Sequence, residues 1–380
     1  MADSPSSAAV FARRRLVLCV GPGGVGKTTN AAALALHAAK VHGRKVAVVT
    51  IDPARRLAQA LGIDPVEQAQ GSESRASDLV ALSSEDLGLP EGARLDALIL
   101  DGGRVFDTIV RECASDAASA QSILDSRIYQ AMAERLSGAL EFAAMARVQM
   151  LLDAGEHDLI VLDTPPTANA MDFLEAPSRI RELIDNPGAR LLAGTGRIGA
   201  RILGLGTSVL TRTLEAMGGG AFIRDLGTFL REISGVLQEF TRRGGDFEQA
   251  LRSPSTGVLL VTAATTFSVR EAGVFLDQLD DYGLNIDAVV LNRLEPKLPA
   301  PPQRDAVEAA LDSAGLDARA QARAWSVYDG AQAQGRASEA AVATIAAQRP
   351  GVRIWAAPRY PEPPDTLPAL VKLGASIFGE

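Results

Sequence analysis

Nine consecutive residues, Gly21-Pro22-Gly23-Gly24-Val25-Gly26-Lys27-Thr28-Thr29, have the types and spacing to hold a polyphosphate. Gly21, Gly26, Lys27 and Thr28 write the pattern G-x-x-x-x-G-K-[ST]. Glycine has no Cβ, so backbone N–H groups at Gly21, Gly23, Gly24, Val25 and Gly26 can close around an anion. A helix beginning at the end of the loop adds its dipole and its unpaired first-turn donors, including those of Thr28 and Thr29. Lys27 then reaches the β- and γ-phosphates, and the Thr28 hydroxyl ligates Mg²⁺. The chemistry is capture of a nucleoside triphosphate together with its metal.

Three further residues stand where that chemistry needs help. Asp52 follows the apolar run Lys45–Thr50, and Asp163 closes the run Asp158–Asp163. In open α/β sheets ligands bind at the carboxyl ends of the strands. Asp163 there suits a second metal-side position, holding the water shell of Mg²⁺ beside the loop. Asp52 can orient and polarise a water for attack on the γ-phosphate, which makes it, with Lys27, the catalytic pair. An Asp before a Pro is also a good helix N-cap, and the two roles coexist. Asn292 follows the run Ile286–Leu291 and carries an amide able to read an adenine edge; a generic loop amide is the other reading. An Asn-Lys-x-Asp guanine reader is absent from the chain, which favours ATP over GTP.

The elements that must position these residues follow from hydropathy patterning. Leu16–Val20, Lys45–Thr50, Asp158–Asp163, Gly257–Thr262, Ile286–Leu291 and Val352–Ala356 read as buried strands. Helical patterns lie between them, so the expected fold is α/β: a doubly wound, mainly parallel sheet of the P-loop NTPase type. Helices are expected over Asn30–Lys40, throughout Leu95–Leu152, from a capping box at Ser268–Glu271, in two short pieces up to Ala347, and over Thr366–Phe378. Residues 168–251 hold no convincing strand. Phe222, Ile223, Leu226, Phe229, Leu230, Ile233, Val236, Leu237 and Phe240 recur at helical spacing. The expected organisation is therefore a flexible tail over 1–12, a sheet domain over 13–167 and 252–380, and an inserted α-helical subdomain over 168–251. The stripe reads as subdomain core, or as a groove for an apolar client helix. Arg190, Arg197 and Arg201 read as a solvated face, or as a face toward an anionic partner or lipid.

Composition narrows the classes. The chain has 380 residues, a formal net charge of −8 and 47% hydrophobic residues, enough for a large core. The acidic balance argues against a nucleic-acid protein, whose phosphate contacts need cationic surface. Cys19 and Cys113 are the two cysteines, without a CxxC pair, so zinc clips and disulfide frameworks are unsupported. His37, His42 and His157 show no ligand spacing. No apolar run approaches the ~18 residues of a membrane span, and a cytoplasmic protein is expected.

Taken together, Gly-Gly-Val-Gly-Lys-Thr-Thr at 23–29, Asp-Pro-Ala at 52–54, Asp-Thr-Pro-Pro-Thr at 163–167 and Leu-Asn-Arg-Leu at 291–294 resemble the arsenite-pump and tail-anchored-protein-targeting ATPases (ArsA-type). The resemblance implies a dimeric, Mg²⁺-dependent ATPase whose helical subdomain moves with nucleotide state, at times peripheral at a membrane. It implies Asp52 in switch I as the water-activating residue, Asp163 in switch II and Asn292 at the adenine. The chain also departs from the family. Pro22 stands where a signature lysine usually reaches into the partner's site. Arg55 and Arg56 stand where a His and a small polar residue are usual, and Asn169 where many members have a His. The metalloid- and zinc-binding cysteines are missing, which weakens arsenite extrusion as a role. Pro22 points to two assemblies: a homodimer, or a heterodimer with a paralogue that bears the lysine. Two rivals remain open: a partition- or septum-type switch ATPase that binds membrane or DNA, and an ATP-binding regulatory subunit with little turnover.

Overall fold

The computed structural model describes residues 7–51, 57, 61–62, 79–100, 102–127, 129–130, 139–164, 220–300 and 303–379. In chain order these form α1 (Ser7–Arg13), β1 (Leu16–Val20), α2 (Lys27–His42), β2 (Lys45–Thr50), β3 (Val80–Ala81), α3 (Ser84–Leu87), β4 (Arg94–Ile99), α4 (Gly102–Cys113), α5 (Ala117–Asp125), α6 (Ala139–Ala154) and β5 (Leu159–Asp163). They continue with α7 (Gly220–Leu251), β6 (Thr256–Ala263), α8 (Thr266–Asp281), β7 (Ile286–Leu294), α9 (Arg304–Ser313), α10 (Ala318–Gln348), β8 (Arg353–Pro358) and α11 (Leu367–Phe378).

The strands make one eight-stranded sheet in the order β3-β4-β2-β5-β1-β6-β7-β8. All its pairings are parallel except β3 with β4. Leu16, Leu18 and Val20 face the apolar cluster built with α4–α8 and α10, whereas Val17 and Cys19 face the cluster built with α1, α2 and α11. A strand covered on both faces has no polar side, which is why β1, β5 and β6 read as unbroken apolar runs rather than alternating ones. The outcome is the doubly wound α/β fold expected from the sequence.

Several local expectations are corrected. The helical pattern drawn over Leu95–Leu152 begins with a strand: β4 pairs along its whole length with β2. Its Asp96 is fully buried, accepting from His157 Nε2 at 2.7 Å and from Arg94 Nε at 2.8 Å. A charge buried with partners breaks the apolar pattern without breaking the strand. The tail drawn over 1–12 is helical from Ser7, and Phe11 is 1% exposed, set among His37, His42 and Phe378. Its partners lie on α2 and α11, out of reach of any local pattern. Helix α8 starts two residues before the Ser268 box, at Thr266: Thr265 is the N-cap and its Oγ1 accepts from Ser268 N at 3.1 Å. The two short helices drawn before Ala347 are α9 and one 31-residue helix, α10.

Residues 168–219 of the expected insertion lie outside the described residues. Its last part is the single 32-residue helix α7. Phe229, Val236, Phe247 and Leu251 of that helix are buried in the same apolar cluster as Leu16 and Leu260. Of the stripe, Phe229 and Val236 thus join the core beneath the sheet's face, and Ile233 packs against it.

Candidate phosphate-binding site

The loop between β1 and α2 leaves the sheet where β1 lies between β5 and β6, at the carboxyl ends of all three. Connections diverge from that point, which opens a crevice there. The loop's shape depends on its glycines. Gly21 has φ 145°, and a Cβ on it would sit 2.0 Å from the Val261 carbonyl oxygen of β6. Gly26, the N-cap of α2, is left-handed at φ 97°, and a Cβ there would meet Asn292 Nδ2 at 2.3 Å. Neither position admits another residue without displacing backbone or a buried amide. Gly23 and Gly24 are exposed, and Val25 is buried beneath them.

No side chain caps α2, and its first turn carries no acid. The N–H groups of Lys27, Thr28 and Thr29 therefore start the helix without intrahelical acceptors, at its positive end. Lys27 is 5% exposed, and its Nζ donates to the Gly21 and Pro22 carbonyls at 2.9 and 3.0 Å. The ammonium is thus held over the loop by the loop's own oxygens. An uncapped helix start, a cradle that only glycine can line and a buried cation make a seat that fits a polyphosphate.

The oxygens a hard cation needs are also present. Thr28 and Thr29 are half-buried on the first turn of α2. Asp163 is fully buried at the end of β5, and its Oδ2 accepts from Thr50 Oγ1 at 2.8 Å. Thr164 ties the next residue down, its hydroxyl donating to the Cys19 carbonyl at 2.9 Å. Cys19 lies opposite Asp163 in the β1–β5 register. Burial pushes its thiol far above the usual range; the Asp163 charge adds to this and Lys27 opposes it. The thiol stays protonated, a core residue as expected. Among the described residues no cluster of three or more His, Cys, Asp or Glu could hold a metal ion. A divalent ion here would take from them Thr28 and Asp163, with phosphate oxygens completing its shell.

Asp52, Arg55 and Arg56 lie outside the described residues, as does Asn169. Asn292 is 8% exposed and ends inside β7 rather than after it. Its Nδ2 donates to the Val25 carbonyl at 2.7 Å and its Oδ1 accepts from the Arg293 backbone N–H at 2.9 Å. Arg293 has φ 59°, and no other non-glycine among the described residues has a positive φ. The pairing of β7 with β8 shifts register at this point. The amide thus braces the phosphate loop from β7, two strands away from β1. Two contributors escaped the sequence reading, Thr50 and Asn30. Each is a polar residue at the end of an apolar run, and that was the available signal.

The family model described as an anion-transporting ATPase (ArsA ATPase) matches residues 14–310. The curated relatives it resembles include the protein named ATPase get3 of Aspergillus terreus, 25% identical over 281 residues, which are 74% of this chain and 73% of that protein. ATPase GET3 of Paracoccidioides lutzii is 26% identical over the same shares of the two chains. ATPase GET3 of Malassezia globosa is 24% identical over 278 residues, 73% of this chain and 72% of that protein.

Proposed function

Because this chain belongs to the anion-transporting ATPase (ArsA) family and is accordingly an ATP hydrolase, we propose that ATP bound on the Gly21–Thr29 loop drives opening and closing of a dimer coupled to a client protein. The observation that carries the reading is the Lys27 ammonium, buried over a loop that only glycines can form at an uncapped helix start. Lys27 and the loop amides bind the β- and γ-phosphates and offset charge as it develops. With Mg²⁺ bound, part of the remaining phosphate charge is neutralised. Thr28 and Asp163 are the residues that would hold that ion, Asp163 through its water shell.

Asp52 positions the attacking water and accepts its proton. The step is hydrolysis of the γ-phosphate to ADP and inorganic phosphate. Asp163, tied to β2 by Thr50, senses whether the γ-phosphate is present. The clients are membrane-protein segments or a transport partner; relatives in the family support that class. Among the described residues no helix is long and apolar enough to cross a membrane. Pro22 offers no cation to a neighbouring subunit. The working assembly is either a homodimer or a pair with a lysine-bearing paralogue, since a cation supplied in trans is worth ~10³ or more in rate.

The test uses the purified full chain. Lys27→Ala abolishes ATP binding in calorimetry, and Asp52→Asn retains binding but stops phosphate release. Retained affinity in the first variant, or unchanged turnover in the second, refutes the assigned roles. Full turnover of the chain as a homodimer excludes the paralogue; ATP-dependent co-sedimentation with DNA or liposomes and no client favours the partition-type reading.

A further inference from the structure

We infer that Asn30 and Asn292 are positioning residues that clamp Gly26 from two sides and hold the phosphate loop in its anion-accepting shape. This rests on the loop being the triphosphate seat. Asn30 lies on the first turn of α2, is 2% exposed, and donates its Nδ2 to the Gly26 carbonyl at 2.8 Å. Asn292 comes from β7 and donates its Nδ2 to the neighbouring carbonyl, Val25, at 2.7 Å. The Asn292 amide nitrogen occupies the place of a side chain at Gly26, where a Cβ would be only 2.3 Å away, and the Asn30 amide nitrogen would meet that Cβ in ordinary contact at 3.5 Å. The Val25 carbonyl is thereby turned inward onto a side-chain donor, and the Gly26 carbonyl, which takes the first helix bond from the Asn30 backbone N–H at 3.0 Å, gains the Asn30 amide as a second donor. Adjacent N–H groups then face the other way, where an anion sits. A carbonyl pointing into that space would repel phosphate instead.

Two costs accompany the clamp. Asn30 Oδ1 is buried with no hydrogen-bond partner among the described residues. An apolar side chain would remove that unsatisfied acceptor, so the fold alone gives no reason for an asparagine here. Arg293 adopts a left-handed backbone, stabilised by the Asn292 Oδ1 that caps its N–H. Strained backbone of this kind collects at functional sites. Asn292 still pairs in register with Ala263 of β6, and it presents its amide to the loop where β7 shifts its register with β8. Asn292 therefore recognises the protein's own backbone, so losing its amide must weaken every ligand that uses the loop, whatever its base.

The experiment measures the affinity of tripolyphosphate, ATP and GTP by calorimetry, and the melting temperature of the free protein, for Asn292→Asp, Asn30→Ala and Asn30→Ser. Asp at 292 keeps an acceptor for Arg293 N–H but has no donor for Val25. It is expected to weaken all three ligands by a similar factor, about tenfold for the loss of one loop-holding bond. Asn30→Ala weakens all three as well while the melting temperature holds or rises. Asn30→Ser restores affinity, because a serine hydroxyl can bond the carbonyl four residues back. Loss confined to ATP, with tripolyphosphate unaffected, makes Asn292 a base reader and overturns the clamp. A fall in melting temperature parallel to affinity in Asn30→Ala makes that residue merely structural and also overturns it. Lys27→Ala separates the two readings: if it leaves tripolyphosphate binding intact, the seat itself is wrong, and the clamp falls with it.

Discussion

Thr50 Oγ1 donates to Asp163 Oδ2 across 2.8 Å, joining the last residue of β2 to the last residue of β5. Both side chains are fully buried, and the two residues are directly opposite in the strand register. Asp52 follows Thr50 by two residues. The bond therefore ties the strand that carries the proposed water-positioning acid to the acid proposed for the metal side. It also orients the carboxylate, since one oxygen is committed to the hydroxyl.

Replacing Thr50 with Val keeps the shape and removes the donor. The expected outcome is a rise of about tenfold in the Mg²⁺ concentration needed for half-maximal turnover, the scale of one hydrogen bond to a charged group. Binding of ATP without metal stays near the wild-type value, and Thr50→Ser restores the metal dependence. A metal titration of ATPase activity, alongside nucleotide binding in chelator, checks this.

Gly21→Ala is expected to be severe. The φ of 145° and the Val261 carbonyl 2.0 Å from the new methyl leave no strain-free solution. The expected loss is about 2 kcal/mol or more of stability, in the class of overpacking with backbone displacement. Urea unfolding measures it. Gly24→Ala has open space around it but keeps the left-handed φ of 76°, so its cost is limited to about 1–2 kcal/mol of backbone strain.

Acid lability should come from the clasp between the chain's ends. His37 is 7% exposed, packed against Phe11 and Phe378, with the His42 ring 5.4 Å away. Burial, and then the His42 charge, lowers its pKa from the usual 6.5 to about 4. The unfolded chain therefore takes up this proton first. Stability from the neutral imidazole is complete above pH 6.5 and is lost as pH falls toward 4, by at most about 3 kcal/mol. His37→Leu flattens this part of the stability curve, read as the difference between urea midpoints at pH 7.5 and pH 4.5. Equal pH slopes in the two proteins would count against the assignment.

What the amino-acid order determined by itself was the local part. The glycine loop, the apolar strands β1, β2, β5, β6 and β7, the flanking helices and the acid at 163 all express short-range rules of spacing and hydropathy. What only the tertiary structure decided was which distant residues meet. Asn292 reaches a carbonyl 267 residues away, because β7 lies two strands from β1 in the sheet. Thr50 meets Asp163 because β2 pairs with β5. Asp96 is tolerated in a buried strand because His157 arrives from the start of another. Phe11 is core because α2 and α11 close over it. Strand order sets each of these contacts, and strand order is settled by how whole faces pack, a quantity that no window of neighbouring residues contains.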